Sequence, residues 1–288
     1  MTGTIRILKN AAASAFRGGL AGAIAMVLQV VLLMWLRTTI NWQYRNGGTI
    51  TEAFSTLYAE GGILRFYQGA QYALIQGPLS RFGDTAANEG VKEVFANSNY
   101  SVGFVTMCAS FAAACWRIML TPLDTIKTTL QVSGSQGLDR LHDKVAKHGF
   151  LTLYDGALGN WGANIIGHYP WFVVNNWLEA RLPNATTPRG KLIRRAFIGF
   201  CSSLVSDCLS NSIRVVKTFK QTSEVPLTYM EAVHKILETS GITGLLFRGL
   251  GIKLFSNALS SIIFSVLWKM LMDTLKEREE QGPQKKSK

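Results

Sequence analysis

The sequence is poor in charge, in acid and in cysteine, and each shortage excludes something. Charged residues make up 17% of the 288 positions, too few to solvate the surface of an ordinary soluble protein of this length. Only four cysteines occur, Cys108, Cys115, Cys201 and Cys208. None forms a C-x-x-C pair, so they read as buried thiols rather than as disulfides or a metal site. The four histidines, His142, His148, His168 and His234, are dispersed. No nucleophile–base pair, metal-ligand cluster or phosphate loop stands out, so nothing supports an enzyme, a cofactor or a bound metal. No basic–aromatic module supports nucleic-acid binding. Acids number 18 against 30 Lys and Arg, a net charge of +12, which suits contact with anionic lipid surfaces, cardiolipin head groups included. There is no cleavable signal peptide. The first 19 residues carry Arg6, Lys9 and Arg17 and no acid, and read as a solvated lead-in to the first span.

What the chain has in abundance is apolar length: 48% of it is hydrophobic. Residues 20–36 contain no charge and one polar side chain, Gln29, close to the ~20 residues that a membrane span needs. Similar stretches run over 102–120, broken by Arg117, and 196–213, broken by Asp207. More mixed helices are expected over 70–92, 157–180 and 250–275. Short amphipathic segments lie between them at 51–59, 138–147 and 228–238. In the last, Met230, Val233, His234 and Leu237 recur at helical spacing. The sum is an all-α membrane protein with six transmembrane helices, three short helices and both termini on one side. Its polar side chains face an interior. Gly18 with Gly22, Ala109 with Ala113 and Gly199 with Ser203 are spaced for close helix approach.

The chain also repeats itself. Residues 37–41, 127–131 and 217–221 read RTTIN, KTTLQ and KTFKQ, 90 residues apart. A second triplet reads EGGILRFYQG at 60–69, KHGFLTLYDG at 147–156 and SGITGLLFRG at 240–249. Two markers recurring three times define one domain of three tandem units, at about 11–95, 100–182 and 190–276, followed by a charged tail at 277–288.

At Pro122-Leu123-Asp124-Thr125-Ile126-Lys127 the chain resembles the mitochondrial carrier family, whose signature is Pro-x-Asp/Glu-x-x-Lys/Arg. The resemblance covers essentially the whole chain. It implies a six-helix barrel of threefold pseudosymmetry in the inner mitochondrial membrane, with three short matrix helices, a central cavity and alternating access. At the 90-residue offset the proline position reads Leu32, Pro122 and Ser212, the acid position Met34, Asp124 and Arg214, and the base position Arg37, Lys127 and Lys217. The family's polar brace falls on Asn41, Gln131 and Gln221. Proline kinks a helix by removing a hydrogen bond and clashing with the preceding turn. Three kinks would draw the odd helices together where acid–base pairs close the matrix gate. Here one signature is intact. The family's pairing implies that Asp124 reaches Lys217, while Arg37 and Lys127 lack acids at the matching positions and Arg214 adds a further cation. An uncompensated buried charge costs about 3–5 kcal/mol, so that floor is hydrated, weak or neutralised by an anion, unless some of these cations snorkel to the head groups.

The family's substrate contacts map to Gln76-Gly77, Ala163-Asn164 and Ser256-Asn257, all uncharged; these side chains suit a solute's polar group or a neighbouring helix equally. Arg81 and His168, at equivalent positions, and Arg117 would line the same cavity, opposed by Asp84 and Asp207, so it leans positive. Bland alternatives are an Arg117–Asp207 bridge between helices and an Arg81–Asp84 pair one turn apart. Glu89-x-x-Lys92 matches one third of the family's cytoplasmic gate; Asn176-x-x-Glu179 and Lys269-x-x-Met272 do not complete it. Two functions follow. One is a monomeric carrier of a small anionic metabolite. The other is a carrier-like scaffold without transport, a subunit of an inner-membrane complex.

Overall fold

The computed structural model describes residues 27–96, 100–261 and 263, and every regular element among them is helical. α1 covers 27–46 and α10 covers 250–261. Between them run α2 (Ile50–Arg65), α3 (Ala70–Val94), α4 (Val102–Met119), α5 (Thr121–Ser133), α6 (Gln136–His148), α7 (Ala157–Arg181), α8 (Pro188–Gln221) and α9 (Tyr229–Phe247). A 3-10 turn at Phe150–Tyr154 joins α6 to α7. The basic lead-in, Gly18, Gly22, Lys269, Met272 and the charged tail lie outside the described residues.

Two described helices are long and apolar enough to cross a membrane, Val102–Met119 and residues 189–221. Only 17% of the first is buried inside the protein, so its apolar side chains face outward, as those of a lipid-facing span do and those of a soluble core helix do not. The four cysteines are free thiols, and the expectation that all are buried is wrong: Cys115 and Cys208 are exposed on the helix surfaces.

The odd helices run further than their apolar stretches suggest. Instead of ending at 36, 120 and 213, the helical segments continue to 46, 133 and 221, with one break after 119. The polar residues beyond the apolar runs are packed against neighbouring helices. Thr38, Thr125 and Thr218 are all buried. The Thr38 hydroxyl donates to the Phe66 carbonyl at 2.7 Å and the Thr125 hydroxyl to the Leu153 carbonyl at 2.6 Å. A threonine satisfied in this way costs little to bury, so the end of a hydrophobic run is not the end of a helix.

The amphipathic segments are longer too. α2 and α9 each open with a capping box, Thr49 with Glu52 and Thr228 with Glu231, which satisfies two free N–H groups reciprocally. Each then bends at a glycine with positive φ, Gly62 and Gly241. The helices touch in a closed order. Val30 and Met34 of α1 pack on Ala73 of α3; α3 meets α4, α4 meets α7 and α7 meets α8; α8 and α10 share a core with α1 around Leu33, Leu36, Val215 and Ile252.

Candidate functional site

Pro122 determines the local geometry at the middle of the molecule. It occupies the first turn of α5, and the helix breaks at Leu120, between Met119 and Thr121. Proline is tolerated there because that N–H has no helical partner. The break turns Asp124 inward, in the first turn of α5, where the helix dipole favours a carboxylate. Asp124 is 5% exposed. Its Oδ1 accepts from Lys127 Nζ at 2.6 Å and its Oδ2 from Lys217 Nζ at 2.5 Å. Lys127 also donates to Gln76 Oε1 at 3.1 Å. The expectation that Lys127 lacks an acid is therefore corrected: it shares the one carboxylate with Lys217, being one turn away on the same helix. Arg37 is engaged as well. Arg214 Nε donates to Ser210 Oγ at 3.2 Å and has no acid within ion-pair distance among the described residues.

Just beyond this layer the three odd helices are tied side by side. Asn41 Nδ2 donates to Gln131 Oε1 at 2.6 Å, joining α1 to α5. Gln221 Nε2 donates to Thr125 Oγ1 at 2.7 Å, joining α8 to α5. The Tyr44 hydroxyl donates to Asn211 Oδ1 at 3.1 Å, joining α1 to α8.

On the other side of Asp124 lies a second polar layer. Both proposed pairings of its charges are overturned. Arg117 of α4 does not reach Asp207, and Asp84 of α3 does not bond Arg81. Instead Arg117 grips Asp84 two-handed, Nε to Oδ1 at 2.9 Å and Nη2 to Oδ2, the fork geometry that makes arginine–carboxylate pairs strong. Its Nη1 donates to Asn164 Oδ1 at 2.5 Å. α3 and α4 are direct neighbours, which a 33-residue separation in sequence does not reveal. Arg81 is exposed, so it is not part of this cluster. Asp207 accepts instead from Asn257 Nδ2 of α10. His168 Nδ1 lies 2.9 Å from the Ser110 hydroxyl. Gly77 and Ser256 are buried. Glu89 and Lys92 form a 3.4 Å pair at the far end of α3, with side chains 37% and 57% exposed, where such pairs contribute little.

Lys253 of α10 was not anticipated. It is subject to the charges of Asp207, Arg214 and Arg37. A lysine inside the expected 250–275 span was the available signal, since an ionisable group there requires a partner or water. Among the described residues no group of His, Cys, Asp and Glu could hold a metal ion.

A family model described as "Mitochondrial carrier protein" matches the chain three times, over residues 4–99, 100–185 and 189–279. The chain is also similar to the mitochondrial ornithine transporter 1 of Saccharomyces cerevisiae, with 25% identity over 287 residues, covering 91% of this chain and 96% of that protein.

Proposed function

The chain belongs to the mitochondrial carrier family, and from that premise we propose that it moves a small anionic solute across the inner mitochondrial membrane by alternating access through a six-helix barrel. Family members are transporters, not enzymes. The observation that carries the choice of solute is the charge of the interior. Among the described residues its acids are Asp84, Asp124 and Asp207, set against Arg117, Lys127, Arg214, Lys217 and Lys253. Cations left unbalanced in a low-dielectric interior favour an anion that enters with its own charge. In this reading Asp124, Lys127 and Lys217 close the matrix gate, with the brace formed by Asn41, Gln131 and Gln221. The solute is held on the other side, by Asn164, Asn257 and Lys253.

A second solute class has its own support. The Asp207 carboxylate is 6% exposed and held by an amide, with no base within ion-pair distance among the described residues. It could accept an ammonium group, and the yeast relative is named for ornithine, so a basic amino acid belongs in the same test. The scaffold reading is not favoured, because a scaffold has no use for this charged interior.

The test is thermal unfolding of the purified protein with mitochondrial carboxylates, phosphate and amino acids, followed by uptake into liposomes. A ligand at 100 times its dissociation constant stabilises by about 2.7 kcal/mol. A shift with one class, lost in Lys253→Gln and Asn257→Ala and matched by uptake, is the expected result. No shift and no uptake with any of them, for folded protein, would restore the scaffold reading.

A further inference from the structure

A cavity of about 560 Å³ lies at the brace end of the molecule, on the opposite side of Asp124 from Asn164 and Asn257, and neither the family match nor the transport reading assigns it a role. Its volume falls within the ~300–1,000 Å³ typical of small-molecule sites. All three repeats contribute to its wall: Arg45, Arg65 and Gln68 from the first, Gly134 and Arg140 from the second, Glu224 from the third.

The three arginines are not equivalent. Arg65 is 3% exposed and fully occupied. It bonds Glu60 at 2.7 Å and caps the last carbonyls of α5, Gln131 at 3.0 Å and Val132 at 2.9 Å. Arg45 has no acid within ion-pair distance among the described residues; it makes long bonds to the Phe219 carbonyl at 3.4 Å and Ser223 Oγ at 3.3 Å, and stacks on the Phe219 ring. Arg140 pairs with Glu224, but those side chains are 51% and 66% exposed, and such a surface pair is worth little and is readily exchanged. Two guanidinium groups are thus available. Beside them, Gln68 Oε1 is buried without a hydrogen-bond partner. Gly134 comes so close that a β-carbon there would stand 3.1 Å from that oxygen. That oxygen is turned against Gly134 and closed to the cavity, so the guanidinium groups are what the cavity offers a ligand.

We infer that this cavity binds a small organic anion that carries two or more carboxylates, or a phosphate. The anion sits between Arg45 and Arg140, bridging the two guanidinium groups. The site is separate from the interior solute site of the transport reading and does not depend on it. A bound anion ties α1 to α6, so it holds this end of the molecule together.

Citrate and acetate, which differ in carboxylate number, serve as probes, with affinities for the full chain measured by calorimetry. Citrate is expected to bind saturably, and acetate at least about tenfold more weakly, since two guanidinium groups reward a second carboxylate. Arg45→Gln with Arg140→Gln should weaken citrate tenfold or more, whereas Glu238→Gln on the exposed face of α9 should leave it unchanged. Ser135→Trp fills the cavity from an exposed position whose side chain makes no capping bond. It should abolish binding, and it decides the matter if the double arginine variant does not fold. Citrate binding that survives Ser135→Trp and disappears in Asn257→Ala would overturn the inference while supporting the interior site. Absence of saturable binding to the wild type would overturn it outright. Retained binding here with no uptake of any solute would sink only the transport reading.

Discussion

The second and third repeats solve the same segment differently. In the second, Pro122 stands at the head of α5, the helix breaks at Leu120, and Asp124 is delivered to two lysines. In the third, the equivalent positions are Ser212 and Arg214, and α8 runs unbroken for 34 residues. The first repeat, with Leu32 and Met34, is also unbroken over the described 27–46. Pro122 is what divides the second segment, since only proline removes the N–H and forces a clash with the preceding turn. The acid position determines how many charges one layer can tolerate. A single carboxylate serves two lysines, and the third repeat's arginine is left to a serine hydroxyl.

Removing that carboxylate should have the largest effect. Asp124→Asn leaves Lys127 and Lys217 facing each other without compensation, and breaking a buried ion pair from one side costs about 3–5 kcal/mol. Thermal unfolding of the purified protein should show it, and adding Lys217→Met should recover a large part of the loss. Next, Ser212→Pro transfers the kink to the third repeat. It should break α8 near residue 212 at a cost of about 3 kcal/mol, read as a lower melting midpoint and as a shortened spin-label distance along α8. Pro122→Ser is the reciprocal change and should fuse α4 to α5 in the same distance measurement.

In the neighbouring layer, Asp84→Asn should cost about 2 kcal/mol, below the buried-pair range because the Arg117 and Asp84 side chains are 26% and 18% exposed. A double-mutant cycle with Arg117→Met measures the coupling, and additivity of the two changes would refute the pairing. The smallest effect is at the start of α9. Glu231 is exposed, and its bond from the Thr228 N–H at 2.7 Å holds its carboxyl below the usual glutamate value. A depressed folded value means that the capping contribution is present above the unfolded pKa and is lost as pH falls through the folded one. Circular-dichroism melts should therefore show acid sensitivity from about pH 4 downward that Glu231→Gln flattens slightly.

Much of the fold was readable from local pattern. The helical character, the odd segments, the position of the break at Pro122 and the three amphipathic helices each follow from residues within one or two turns of each other. Helix ends were less readable. Thr38, Thr125 and Thr218 look like terminators by hydropathy but are buried, and the bonds that satisfy Thr38 and Thr125 come from neighbours 28 residues away.

The sequence by itself determined the threefold repeat and the family, because these are properties of spacing and composition along one chain. Which charge meets which was decided only by tertiary structure. Arg117 chose Asp84 over Asp207, Lys127 joined Lys217 on Asp124, and Asp207 was left to Asn257. Arg81, equivalent to His168 in the repeat, is exposed and forms no ion pair with Asp84. The reason is physical: an ion pair forms within about 4 Å, and helix rotation and packing set distances on that scale, which no periodicity in the sequence records.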